Sequence, residues 1–163
     1  MSTWDASTAE WYAARYGEYA TNRLAADAID VSADAVVVDV GCGTGAALRR
    51  IAPRVPDGTL IGIDPIPRMI EIARERAAAD PHGHRIEFRQ APAEHLPLED
   101  ACAHVVFAFD SIDHWRDQAA GLHEVRRVLG LSRRLTEGLH AATTADAPAG
   151  LVAADRGSDA GAL

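Results

Sequence analysis

The chain has 163 residues, 48% of them hydrophobic and 25% charged, which is the make-up of one globular domain with a sizeable core. A formal net charge of -8 sets the surface against phosphate backbones, so nucleic acid is not expected as a partner. No apolar stretch approaches the length of a membrane span and no charged-then-apolar leader opens the chain, so a cytoplasmic protein with no membrane partner is expected.

All the basic residues are arginine, and no lysine occurs. Cys42 and Cys102 each sit beside an apolar run, where a buried, reduced thiol is expected. The histidines show no zinc-type spacing, and no metal site is expected.

From Trp4 to about Ile29 the chain reads as a helix with an unusually aromatic surface. Residues 35–40 are nearly all β-branched, as in a strand buried on both faces, and the cluster Gly41-Cys42-Gly43-Thr44-Gly45 ends it. A helix follows with Leu48, Ile51, Ala52 and Val55 on one face. After a Pro-Asp-Gly turn, residues 59–63 form a second strand ending at Asp64, and Pro67 suits the first turn of the next helix. Residues 85–89 read as a third strand and residues 104–109 as a fourth. The last clear element is a helix over residues 118–129, with Leu122, Val125 and Leu129 aligned and Gly130 as its stop.

Strands alternating with helices imply an α/β fold, a parallel sheet whose crossovers cover both faces. Ligands of such sheets bind beyond the carboxyl ends of the strands, which gathers the glycine loop, Asp64, the Ala93–Glu94 region and residues 109–115 around one crevice. Glycine in the loop lets the backbone approach a ligand closely, although a plain strand–helix turn would look the same. Asp64, roughly twenty residues beyond the loop, is placed to accept bonds from ribose hydroxyls. Its bland alternative is a carboxylate meeting a helix N-terminus. Gly41, Gly43 and Ala46 also satisfy the looser dinucleotide pattern of a nicotinamide-dependent oxidoreductase.

Residues 36–45, Val-Val-Val-Asp-Val-Gly-Cys-Gly-Thr-Gly, resemble the first motif of the class I S-adenosylmethionine-dependent methyltransferases. Ile61-Gly62-Ile63-Asp64-Pro65 with Met69 resembles their ribose-binding segment, and Ala93-Glu94-His95-Leu96-Pro97 their adenine-side segment. Asp113-His114-Trp115 and residues 122–129 resemble the segment after strand four and its helix. The resemblance is closest to the small-molecule, ubiquinone/menaquinone-type branch. It implies a Rossmann-like doubly wound, mostly parallel sheet with helices on both faces, and S-adenosylmethionine as cofactor with S-adenosylhomocysteine as product.

Carried over residue by residue, the resemblance assigns Asp39 and the backbone of Gly41, Cys42, Gly43 and Gly45 to the cofactor's amino-acid end. Asp64 takes the ribose, Pro65 and Met69 lie near the adenine, Ala93 and Glu94 frame the adenine edge, and Phe109 faces the sulfonium. Asp39 has a rationale of its own, since a carboxylate complements a ligand carrying ammonium and sulfonium charges. Asp110, Asp113 and His114 are the candidates for a general base. Trp11, Tyr12 and Tyr16 are candidates for contact with a small-molecule methyl acceptor under a lid formed by residues 1–30, ordinary aromatic packing being the alternative.

Two departures stand out. Pro92 occupies the place where the family usually carries an acidic residue for the adenine. After Leu129 the chain reads Gly-Leu-Ser-Arg-Arg-Leu-Thr-Glu-Gly instead of the family's further strands, so a sheet lacking the last strands of the usual seven is expected. The domain is expected over residues 1–140, its cofactor-binding core over 35–129, and residues 141–163 are expected to form a disordered tail. These departures suggest a C-terminally truncated chain, and strand four as an exposed edge that a second copy could cover as a homodimer. A truncated, inactive remnant that still binds S-adenosylmethionine is the alternative function.

Overall fold

The computed structural model describes residues 4–130 and 150–154. Helix α1, Ala6–Tyr16, opens at Asp5, whose carboxylate accepts from Thr8 N at 2.8 Å and so satisfies a free donor of the first turn. The single helix expected from Trp4 to about Ile29 is in fact two, because the chain turns at Gly17 and resumes as α2, Ala20–Ala28. The Gly17 carbonyl accepts from Thr44 Oγ1 at 2.6 Å. A Cβ at Gly17 would lie 2.7 Å from Thr44 Cγ2, so the junction needs glycine for this close approach.

Strands β1 (Val36–Val40), β2 (Thr59–Asp64), β3 (Ile86–Gln90) and β4 (Val105–Phe109) are mutually parallel, in the order β3-β2-β1-β4. Between them run α3 (Ala46–Ile51), prolonged by a 3-10 turn to Arg54, and α4 (Pro67–Ala78). Helix α5, Gln118–Leu129, starts on the Asp117 cap and ends at Gly130 with φ +67°. The strand order reverses between β1 and β4, and a crevice for ligands is expected there.

The alternation of side chains along the strands divides the core in two. Val37, Leu60, Phe88 and Phe107 pack toward Leu48, Ile51, Ile70 and Ile29 of the first helices. Val38, Ile61, Ile63 and Val106 face Val125, Val128 and Leu129 of α5. A smaller cluster, Ala9 and Ala13 against Met69 and Ile72, seats α1 on α4. Leu122, expected on the buried face of α5, is 37% exposed, and Val128 takes its place in the core.

The largest difference from the sequence reading lies at the far end. Gly150–Ala154 is a fifth strand, β5, antiparallel to β4, with Phe107 opposite Val152. Those five residues are therefore not part of a disordered tail, and the β4 edge for which a covering second copy was expected carries β5 of the same chain. The physical reason is that β4 is buried along its length and offers a row of unsatisfied backbone groups, which any extended segment can pair. Residues 131–149 and 155–163 lie outside the described residues. Among the described residues no helix is long and apolar enough to cross a membrane.

Candidate functional site

The glycine loop leaves β1 through three residues in left-handed backbone: Gly41 (φ +81°), Gly43 (φ +50°) and Gly45 (φ +73°). Gly41 N and Cys42 N both donate to Ile63 O, at 2.7 and 3.0 Å, which ties the loop to the end of β2. A Cβ on Gly41 would stand 2.3 Å from Ser111 Cβ, whereas a Cβ on Gly43 would meet nothing within 4 Å. Gly41 is thus glycine for packing, and Gly43 borders open space. Gly45 turns away, beneath the Phe88 ring, and caps α3.

Asp64 ends β2 with its carboxylate held at both oxygens, accepting from Gly43 N at 3.0 Å and Ile66 N at 2.9 Å. Each oxygen keeps a further lone pair for a ligand. Burial pushes the Asp64 carboxyl above its ordinary range, against those two backbone bonds. Asp39 is 3% exposed, and among the described residues no donor reaches its carboxylate. Burial, with the Asp64 charge beside it, pushes Asp39 well above the usual carboxylate range. The same causes push the Cys42 thiol up, so this buried cysteine stays protonated and is no nucleophile.

These groups line a cavity of about 290 Å³ beyond the carboxyl ends of the strands. Asp39, Gly41, Cys42 and Gly43 form its floor, and Asp64, Pro65 and Met69 one wall. Ala93, Glu94 and Phe109 also line it, as do Tyr12, Tyr16, Asp110 and His114. Glu94 is partly committed elsewhere, since its Oε1 accepts from Asp117 N at 2.7 Å. Pro92 lines the cavity without a side-chain acceptor to offer.

Three sequence candidates do not line it. Gly45 packs under Phe88, Asp113 is exposed in the turn after β4, and Trp11 is 58% exposed with its edge against the Tyr16 ring, 5.7 Å between centroids. Helical geometry decides the last case: Trp11 and Tyr12 are neighbours in sequence, about 100° apart around the helix, and only Tyr12 points inward.

Other lining residues were not foreseen. Trp4 closes one side, edge-on to Tyr12 at 5.1 Å and to His114 at 6.0 Å. Ser111 donates from Oγ to Val40 O at 2.7 Å and locks the β4 turn onto β1. Asn22 and Trp115 also line the cavity, and their buried Oδ1 and Nε1 have no partner among the described residues. The sequence held one usable signal for Trp4, an aromatic eight positions before Tyr12 and so two helical turns away. Ser111 and Trp115 fall in the segment 109–115 that the sequence placed at the crevice, though not as named site residues, and for Asn22 only the folded crevice reveals the placement.

A family model described as a methyltransferase domain matches residues 37–130, more than half of the chain. Over 127 residues the chain is 35% identical to methyltransferase ungE' of Aspergillus campestris, a match that covers 75% of this chain and 37% of that protein. It is 33% identical over 108 residues to the ubiquinone/menaquinone biosynthesis C-methyltransferase UbiE of Citrifermentans bemidjiense, covering 66% of this chain and 46% of that one. The chain therefore spans less than half the length of these relatives. The crystal structure of a SAM-dependent methyltransferase from Aquifex aeolicus shares the fold, with a TM-score of 0.64 at 20% identity over 77% of this chain and 68% of that one.

Proposed function

The chain belongs to the S-adenosylmethionine-dependent methyltransferases, and from that premise we propose that it transfers a methyl group from S-adenosylmethionine to a small-molecule acceptor. One observation carries the reading: two buried carboxylates, Asp39 and Asp64, flank a glycine whose side-chain position is open space, at the reversal point of a parallel sheet.

The residues present fit the cofactor. Asp39, buried and without a donor, suits a ligand that brings its own ammonium. Asp64 is already oriented by two backbone bonds and has lone pairs left for vicinal hydroxyls. Met69 and Pro65 supply an apolar surface for a purine. When bound, S-adenosylmethionine supplies a methyl group on a positively charged sulfur whose leaving group is a neutral thioether.

The chain's own contribution is position and exclusion of water. Holding an acceptor in line with the methyl supplies up to roughly 7–11 kcal/mol in well-oriented cases. Tyr12, Tyr16 and Trp4 cover the acceptor side. Asp110 and His114 stand where an acceptor proton would have to go. Partial desolvation raises the Asp110 carboxyl above its ordinary value, although the residue is exposed at the cavity mouth.

Calorimetric titration with S-adenosylhomocysteine tests the reading. Saturable binding that weakens about tenfold or more in Asp64→Ala is expected, since a charge-assisted bond to a ligand is worth about 1.5–3 kcal/mol. A folded chain that binds no S-adenosylhomocysteine overturns it. Turnover with labelled S-adenosylmethionine then separates a transferase from a protein that binds without transferring.

A further inference from the structure

The walls of the acceptor half carry more than shape. Trp4 and Tyr12 meet at 69°, Tyr12 and Tyr16 at 46°, and Trp4 and His114 at 77°. Rings tilted this way form a corner of π faces and edges, not a slot for one flat molecule. A compact cation gains from such a corner, because the negative faces of several rings can surround it.

The charges agree with the rings. Asp39, Asp64, Glu94 and Asp110 all line the cavity. Asp64 and Glu94 have backbone donors, but among the described residues none reaches Asp39 or Asp110. On the reading above, Asp39 is taken by the cofactor's ammonium, which leaves Asp110 as the carboxylate open to the acceptor. Arg116 lines the cavity too, and like Asp110 it is exposed. Asp110 is one of two non-glycine residues with positive φ among the described residues, at +51°, in the turn that Ser111 fastens to β1. The fold holds this carboxylate in backbone that side chains rarely adopt.

Resting on the methyltransferase reading above, we propose that the acceptor is a small primary or secondary amine, which enters as its ammonium and leaves N-methylated. A phenol or carbon acid must become an anion before it attacks, facing the Asp110 carboxylate at the mouth of the site, where like charges repel. An amine never carries negative charge along its path. The ammonium gives one N–H proton to the Asp110 carboxylate and becomes a neutral amine. Its lone pair forms the new N–C bond as the C–S bond breaks, and that electron pair stays on sulfur. The product is a methylammonium, again a cation in an aromatic corner, and Asp110 returns its proton to water.

The test compares three ligands sharing one ring: 2-phenylethylamine, 4-ethylphenol and 3-phenylpropionate. Each is titrated calorimetrically into the chain saturated with S-adenosylhomocysteine. The amine should bind at least about tenfold more tightly than the other two, equivalent to about 1.4 kcal/mol. Asp110→Asn should erase most of that preference. Asparagine suits positive φ, so the variant should fold, and its thermal unfolding checks this. With labelled S-adenosylmethionine, the methyl group should appear on the amine nitrogen. Equal or tighter binding of the phenol or the carboxylate overturns the amine assignment, as does a preference untouched by Asp110→Asn. Either result leaves S-adenosylhomocysteine binding, and so the cofactor reading, standing. Failure of the wild-type chain to bind S-adenosylhomocysteine sinks the cofactor reading, and the amine assignment with it.

Discussion

A carboxylate that is 3% exposed and has no donor among the described residues destabilises the free chain, and Asp39 is such a group. Its folded-state pKa is raised, so the folded chain holds the proton more tightly than the unfolded one does. From the ordinary value of 3.8 upward through that raised value, stability falls as pH rises, and the penalty vanishes below the unfolded value. Asp39→Asn should therefore stabilise the free chain by about 1–3 kcal/mol at about pH 8, with the gain shrinking toward pH 5. Melting curves at the two pH values check this, and calorimetry should show S-adenosylhomocysteine binding weakened in the same variant. Pro92 makes the opposite case. It lines the cavity without a side-chain acceptor, so on the proposed reading, which sets the adenine amino group there, Pro92→Asp should tighten S-adenosylhomocysteine binding about threefold to tenfold. Asp39 was legible in the sequence because the loop and the strand ends follow from local backbone rules, whereas Pro92 stood out only against the pattern of the family that the chain resembles. Trp11 and Asp113 were misplaced because sequence proximity does not say which way a neighbouring side chain turns.

Besides their apolar packing, helices α1 and α2 are tied down by a few directed bonds at their junction. Glu18 accepts from both Arg49 and Arg76, and Arg76 also donates to Ala13 O at 2.9 Å. With the Thr44–Gly17 bond, these contacts fasten the cover of the cavity to the glycine loop. Arg76→Ala should loosen that cover: limited proteolysis should cut first near Gly17, and acceptor KM should rise more than kcat falls. On the other face Arg127 binds Leu96 O and Leu98 O as well as Glu124 and Asp100. It thereby holds the loop between β3 and β4 against α5. Arg127→Ala should cost about 2–4 kcal/mol in urea unfolding, well beyond a surface ion pair. The helices and parallel strands could be read from hydrophobic periodicity. The break at Gly17 could not, because Thr44 imposes it from across the fold. Nor could β5, whose Gly-Leu-Val-Ala-Ala carries no alternation and owes its strand state to the row of groups offered by β4.

At the scale of the molecule, the sheet is the frame and arginine is the fastening. Arg54 donates to Ile29 O and Ala26 O, Arg85 to Val55 O and Ala52 O, and Arg74 to Phe88 O. With Arg127, these forked side chains join helix ends and loops through backbone carbonyls, a task a single ammonium does less well. The chain has no lysine at all. Amine-directed labels and crosslinkers will therefore find no side chain to react with, and a dye placed that way goes to the terminal amine alone. Dicarbonyl reagents do the reverse and strike the fastenings themselves. Activity lost to such a reagent would mix two causes, loosened fastenings and the exposed Arg116 of the cavity lining, and only a parallel unfolding measurement separates them.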